Sequence, residues 1–310
     1  MISFYKTIDN TVQPVDELVD GCWVSVVSPT ASDLGFLADQ LGVDPGFVQA
    51  AMDEEESSRI ESDEGQTLVI VDVPSADPQP QDERTIVYST LPMSIIILEN
   101  YVITVCLRPL QVIEDIAEGR VRGVATHLKT RFLFTLLLRI ANRFLIYLKQ
   151  IDKLTSYTEM QLHKAMKNAE LIQLLGLQKS LVFFSTSLKS NEMTMEKILR
   201  GRILKLYEED EELLEDVLIE IKQAIEMCSI YTGILSSTMD AFGSIISNNL
   251  NIVMKVLTSL TVVMAIPTMV SGFYGMNVSG LPFPYFWFPT LVTLILVAVA
   301  TIILVKKGMF

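Results

Sequence analysis

Two histidines and three cysteines are all that 310 residues offer to soft-metal coordination or thiol chemistry. His127 and His163 are too far apart in sequence to suggest a ligand cluster. Cys22, Cys106 and Cys228 give neither a disulfide framework nor a zinc spacing. There is no Walker loop, no dinucleotide glycine fingerprint and no nucleophile elbow, so neither an enzyme nor an organic cofactor is expected. The first twenty residues lack an apolar core and contain Asp9, Asp16, Glu17 and Asp20, which argues against a signal or transit peptide. The last sixty residues lack any acid, and Val256–Val305 lacks charge altogether for fifty residues.

That uncharged block is too long for one membrane span and suits two. A hydrocarbon core of about 30 Å takes roughly 20 helical residues. Val256–Phe273 supplies the first span, with Lys255 able to snorkel at its start, and Phe286–Val305 supplies the second. Between them Gly275, Gly280 and Pro282 break helix, and Tyr274, Phe283, Tyr285, Phe286 and Trp287 form an aromatic belt. Lys255, Lys306 and Lys307 lie at the ends away from this turn. The positive-inside rule then predicts cytoplasmic termini and an external turn.

The chain has 37 acidic and 24 basic side chains; three of the lysines and none of the acids lie beyond residue 250, which leaves residues 1–250 at 37 against 21, a net of −16. Such a domain is unsuited to nucleic acid or a lipid surface, and suits divalent cations or simple solubility. Its first part reads as α/β. Cys22–Val27 is expected as a first strand, and Thr30–Gln40 and Asp44–Met52 as short capped helices. Leu68–Val73, Arg84–Leu91, Met93–Leu98 and Tyr101–Leu107 read as strands, bounded by Asp77-Pro78-Gln79-Pro80 and by a tight hairpin at Glu99-Asn100. From about Thr126 the pattern turns helical: His127–Lys167, a second helix to about Leu199, and a third from near Asp210 that meets no proline before Pro267. The predicted organisation is an α/β domain over 1–125, a helical hairpin over 126–205 and a stalk-plus-first-span helix over 206–274. An external loop over 275–285, a second span over 286–305 and a tail over 306–310 complete it. A helix of this length needs neighbours, and a bundle of identical stalks meets the need.

Tyr274-Gly275-Met276-Asn277 at the outer end of the first span, with Asn251-Ile-Val-Met-Lys-Val-Leu-Thr258 at its inner end, resembles the CorA family of magnesium transporters. The resemblance covers the whole chain in architecture and residues 248–310 in motif detail. It implies a homopentameric, channel-like Mg2+ importer in the inner membrane of a prokaryote, with the stalk helix becoming the pore-lining span. The resemblance further implies a selectivity filter of Gly275, Met276 and Asn277, and pore-lining positions Asn251, Leu257, Ala265 and Thr268. Thr261 falls on the same helical face, with packing against a neighbouring helix as the alternative reading.

The chemistry of these residues fits that role. Mg2+ gives up its octahedral water shell reluctantly. A ring of Asn277 carboxamides would greet the hydrated ion with neutral oxygens, although an asparagine here could also serve as a plain helix cap. Leu257 would make a constriction that gates by dewetting. Ala265 departs from the bulkier methionine common there, and the loop after Asn277 lacks the acid many members carry. Pro267 reads as a tolerated kink or a gating hinge. The run Glu208–Glu220 is acidic: a solvated helix start on its own, while the resemblance implies a regulatory divalent ion at Asp216, with Asp72 or Asp77 as partner carboxylate. Two other readings stand beside the magnesium one. The first is a Co2+, Ni2+ or Zn2+ transporter of the same fold, which the lack of His and Cys beyond residue 228 disfavours for zinc. The second is a membrane-anchored divalent-ion sensor, which has no reason to place Asn251, Thr258, Thr261, Thr268 and Asn277 along a span.

Overall fold

The structure, a computed structural model, describes residues 1–79, 82–165, 168–201, 203–277, 282–283 and 285–309; for 77–79, 82–86 and 163–165 it describes the backbone alone. The chain divides into two compact units, Met1–Ser237 and Thr238–Phe310.

Unit one is built on a seven-stranded sheet of order β2-β1-β3-β7-β6-β5-β4. Its strands are β1 (Ile2–Ile8), β2 (Thr11–Val15), β3 (Trp23–Val27), β4 (Arg59–Asp63), β5 (Gln66–Gln79), β6 (Asp82–Ile97) and β7 (Val102–Cys106). Helices α1 (Ala31–Asp39) and α2 (Pro45–Ala50) cover one face, and α4 (Lys129–Ala165) and α5 (Asn168–Gly201) pack against the opposite one; α3 (Gln111–Ala117) joins them. Alternation along β3 explains the layering. Cys22, Val24 and Val26 join Leu37, Phe47 and Val48 in one core, whereas Trp23 turns to the other face and stacks on Phe132 of α4 at 5.4 Å. The α1 start is closed by a capping box between Thr30 and Asp33.

Several sequence expectations need correcting. The strand at Trp23–Val27 is third, not first, because β1 and β2 form a hairpin ahead of it, and β4 and α3 went unrecognised. The two strands expected at Arg84–Leu91 and Met93–Leu98 are one strand, β6, that runs through Pro92. The expected break at Asp77-Pro78-Gln79 belongs to β5, while Pro80 lies outside the described residues. Proline is accommodated for one reason in each case. β4 pairs only with Gln66–Ile70 and β7 only with Met93–Ile97, so at Pro74, Pro78 and Pro92 one edge of the ladder is free and no hydrogen bond is lost. The Glu99-Asn100 hairpin is present, closed by Leu98 N–H donating to Tyr101 O at 2.9 Å.

Among the described residues three helices are long and apolar enough to cross a membrane: α5, α6 (Glu208–Tyr274) and α7 (Trp287–Lys306). Burial separates them. In the apolar window of α5, 39% of residues are buried inside the protein; in those of α6 and α7 the figure is 6%. Leu174, Leu177, Leu181, Phe184 and Leu188 of α5 are spent on the sheet and on α4, with Phe184 edge-on to Phe144 at 5.1 Å. The apolar surfaces of α6 beyond Asn251 and of α7 stay uncovered, as a lipid-facing or partner-facing span requires.

The indole N–H of Trp23 donates to the Thr104 hydroxyl at 2.8 Å in the middle of the sheet, both residues having no exposed surface. Replacing Thr104 by valine keeps the shape and strands that donor, a loss of about 1–3 kcal/mol. Thermal melting of the full chain in detergent should show a lowered transition for Thr104→Val and a near-normal one for Thr104→Ser.

Candidate ion path and regulatory carboxylates

The second unit pairs the end of α6 with α7. At 3.6 residues per turn, Ser259, Val263, Ile266, Pro267, Val270 and Tyr274 fall on one stripe, and these residues are buried or half-buried. The helix passes Pro267 without a break. Leu257, Thr261 and Thr268 lie on the opposite side, all exposed, with half-buried Ala265 beside them. Asn251 lies about 110° from the stripe and is also exposed. The pore-lining set inferred from sequence thus shares the half of α6 turned away from α7. The Thr261 and Thr268 hydroxyls donate to Leu257 O at 2.8 Å and Met264 O at 3.3 Å. Their donors are used, and their lone pairs stay available.

At the end of α6 the Gly275 N–H donates to Ser271 O at 2.9 Å and the Met276 N–H to Phe273 O at 3.4 Å. A Cβ on Gly275 would sit 3.0 Å from Ser271 O, so glycine is what lets the chain close this last turn and leave it. Met276 and Asn277 follow, both exposed. Tyr274 anchors the far side of the turn: its hydroxyl donates to Pro282 O at 3.2 Å and its ring lies 6.3 Å from Phe288. Phe288 also meets Phe283 at 5.1 Å and Trp287 at 5.9 Å. The aromatic belt is therefore a packed cluster as well as an interfacial one. Val278, Ser279, Gly280, Leu281 and Pro284 lie outside the described residues.

The acidic start of α6 separates into different roles. Asp210 is 6% exposed and accepts from the Tyr207 N–H at 3.3 Å, a cap; Glu209 pairs with Arg131 of α4 at 2.8 Å. Asp216 is exposed, and among the described residues no cation pairs with it. Asp72 is half-buried on β5, and its backbone exchanges hydrogen bonds with the buried Asn191 carboxamide of α5 at 2.9 and 2.8 Å. Burial holds its carboxyl above the ordinary carboxylate range, and the nearby Ser187 and Ser58 hydroxyls offset part of the shift. Asp77 pairs through its backbone with Val87, and its side chain lies outside the described residues. Among the described residues no three His, Cys, Asp or Glu side chains gather into a metal cluster.

The sequence profile of the CorA-like Mg2+ transporter protein family matches residues 20–307. The chain belongs to that family. The cobalt/magnesium transport protein CorA of Methanocaldococcus jannaschii is 27% identical over 303 residues, 92% of this chain and 90% of that protein. The complete structure of the CorA magnesium transporter from the same organism superposes with a TM-score of 0.80 at 25% identity, covering 99% of this chain and 96% of that one. Full-length CmaX, at 17% identity and a TM-score of 0.70, covers 100% of this chain and 97% of its own. The ZntB cytoplasmic domain from Vibrio parahaemolyticus, at 12% and 0.61, covers 79% and 98%; both share the fold. The family and the architecture expected from sequence, an α/β domain with a long helix and two C-terminal membrane helices, are thereby borne out, and its members are divalent-cation transporters rather than enzymes.

Asp72 supplies a pH test. Its folded pKa is raised, so the ionised carboxylate costs stability at neutral pH, and that cost disappears as pH falls through the folded value into the ordinary carboxylate range. Asp72→Asn should therefore melt higher than wild type at pH 7 in Mg2+-free buffer. The gap should close on acidification, as a melting series across pH would record.

Proposed function

We propose that the chain forms a homopentameric channel that imports Mg2+ across an inner membrane, driven by the membrane potential. The single observation behind this is the position of Asn277: exposed, two residues past the glycine that ends the first span, on the helix whose half turned away from α7 carries Thr261 and Thr268. Five such carboxamides would meet the ion with its waters retained, which is how Mg2+ prefers to be bound. Water held by a cation turns its hydrogens outward. Thr268 and Thr261, with their own hydrogens already donated, offer that water acceptors. Leu257 would form the apolar constriction, and Asn251 the inner mouth. Lys255, Lys306 and Lys307 at one end of the spans support cytoplasmic termini by the positive-inside rule.

A divalent ion gains about 4.6 kcal/mol per 100 mV, twice the single-charge value. At about 1.4 kcal/mol per tenfold, this supports accumulation on the order of a thousand-fold without ATP. Asp216 is the regulatory ligand in this reading: when cytoplasmic Mg2+ is abundant it bridges Asp216 to a neighbouring subunit and holds the stalks closed, a matter of differential binding to two states. Asp77 or Asp72 supplies the second carboxylate, and Asp72 would have to give up its half-buried setting to do so. A second reading, with Co2+ as the cargo, is favoured by the dual name of the archaeal relative.

Mg2+ flux into liposomes under an inside-negative potential tests the filter. Wild type should conduct and Asn277→Ala should lose most of the flux; equal flux in both would move the filter elsewhere. Substituting Co2+ for Mg2+ in the same assay separates the two cargoes. For regulation, Asp216→Asn should keep conducting at internal Mg2+ concentrations that shut the wild type. Identical inhibition curves would remove Asp216 from the gate.

A further inference from the structure

The last acid in the sequence is Asp240, and from there to the end the charged side chains are Lys255, Lys306 and Lys307. In sequence Lys255 stands fifty-one residues before Lys306. In the structure the segments that follow them in the chain meet. Ser259 of α6, with no exposed surface, donates its hydroxyl to Met309 O at 3.0 Å. The tail reaches that position because α7 ends in a reversal: Gly308 takes a φ of +64°, and Met309 N–H donates to Leu304 O at 3.1 Å and Lys307 N–H to Ile303 O at 3.0 Å. Lys255 is one helical turn before Ser259, on the flank of α6 that faces α7, roughly 6 Å along the axis. All three lysines are exposed, and among the described residues none has a carboxylate partner.

Three lysines on two helices, each within four residues of the Ser259–Met309 contact at the end of an uncharged span, have no side-chain carboxylate partner among the described residues. Elsewhere the protein carries excess acid: residues 1–250 are at −16, so the basic face is local and is not a consequence of overall charge. At that depth the anion available in a bilayer is a lipid phosphate. We propose that the Ser259–Met309 clasp holds Lys255, Lys306 and Lys307 as a headgroup site for an anionic phospholipid, which then ties the ends of both spans to one lipid. The inference rests on the two spans being in a bilayer, not on which ion passes or on which way the termini face. The alternative source of the same chemistry, free phosphate, lacks the acyl chains that the uncovered α6 and α7 surfaces would hold.

The test uses full-length protein in vesicles of phosphatidylcholine with a minor fraction of phosphatidylglycerol, extracted gently and read by native mass spectrometry for retained lipid. Wild type should retain phosphatidylglycerol in preference to phosphatidylcholine. Each lysine changed to glutamine should cut that preference on the order of five-fold, because a lysine near a membrane surface contributes a similar amount of attraction for each charge. Lys306→Arg with Lys307→Arg should keep the preference, and Ser259→Ala should lower it with every lysine in place. Equal retention of the two lipids by wild type, or glutamine variants that match wild type, would overturn the site, as would displacement by excess inorganic phosphate. Mg2+ flux in the same vesicles keeps the readings apart: normal flux without lipid preference removes only this site, and lipid preference without flux removes only the transport proposal.

Discussion

A bilayer offers no water to a backbone, so every polar group inside it must be answered from within the protein, and this constraint organises the C-terminal unit. Helix satisfies the main chain. The side-chain hydroxyls follow the same rule: Thr261, Thr268, Thr290, Thr293 and Thr301 each donate to the carbonyl four residues earlier, and Ser259 reaches across to Met309 O. What is left unspent at membrane depth is a set of oxygen lone pairs, together with whatever stands where the helix ends. On α6 that end is Gly275, and the residue set free by it is Asn277. A hydrated cation wants neutral acceptors for outward-facing hydrogens, and those are what a chain obeying the membrane's rule has to offer.

The N-terminal unit works under the opposite condition. Water satisfies its surface, so its stability comes from covering both faces of a twisted sheet. Trp23 shows how closely the two problems are solved together: its ring fills the space under α4, and its one polar atom finds Thr104. α5 is the sharpest contrast between the units. By length and composition it could cross a membrane, yet it meets β5, β6 and α4 first and spends its leucines there. Hydropathy states how much apolar surface must be covered; the neighbours in the fold decide what covers it.

Acidic residues divide along the same line. Within one cluster at the start of α6, Asp210 caps the helix, Glu209 pairs with Arg131, and Asp216 stays exposed with no cation paired to it among the described residues. Asp72 sits instead in a half-buried polar layer with Asn191, Ser58 and Ser187, where desolvation outweighs the hydroxyls beside it. Equal charges in the sequence thus become a cap, an ion pair, an exposed carboxylate and a desolvated one.

Much of this was legible beforehand because it depends on local pattern. The fifty uncharged residues define two spans, and Tyr274-Gly275-Met276-Asn277 marks the turn between them. The three- and four-residue spacing after Thr126 gives the long helices within a few residues of α4, α5 and α6. The strands were less legible, since their prolines read as breaks until the pairing partners showed which edges were free at Pro74, Pro78 and Pro92. Ser259 and Met309 are fifty residues apart and carry no local signal, so their contact belongs to tertiary structure. The sequence by itself determined the membrane spans, the position of the Gly275-Met276-Asn277 motif and the charge of each region, because these follow from composition and spacing along the chain. Only the fold decided that α5 lies on a sheet, that Asp72 is drawn inward, and which half of α6 is turned from α7. Each of those depends on a neighbour distant in the chain.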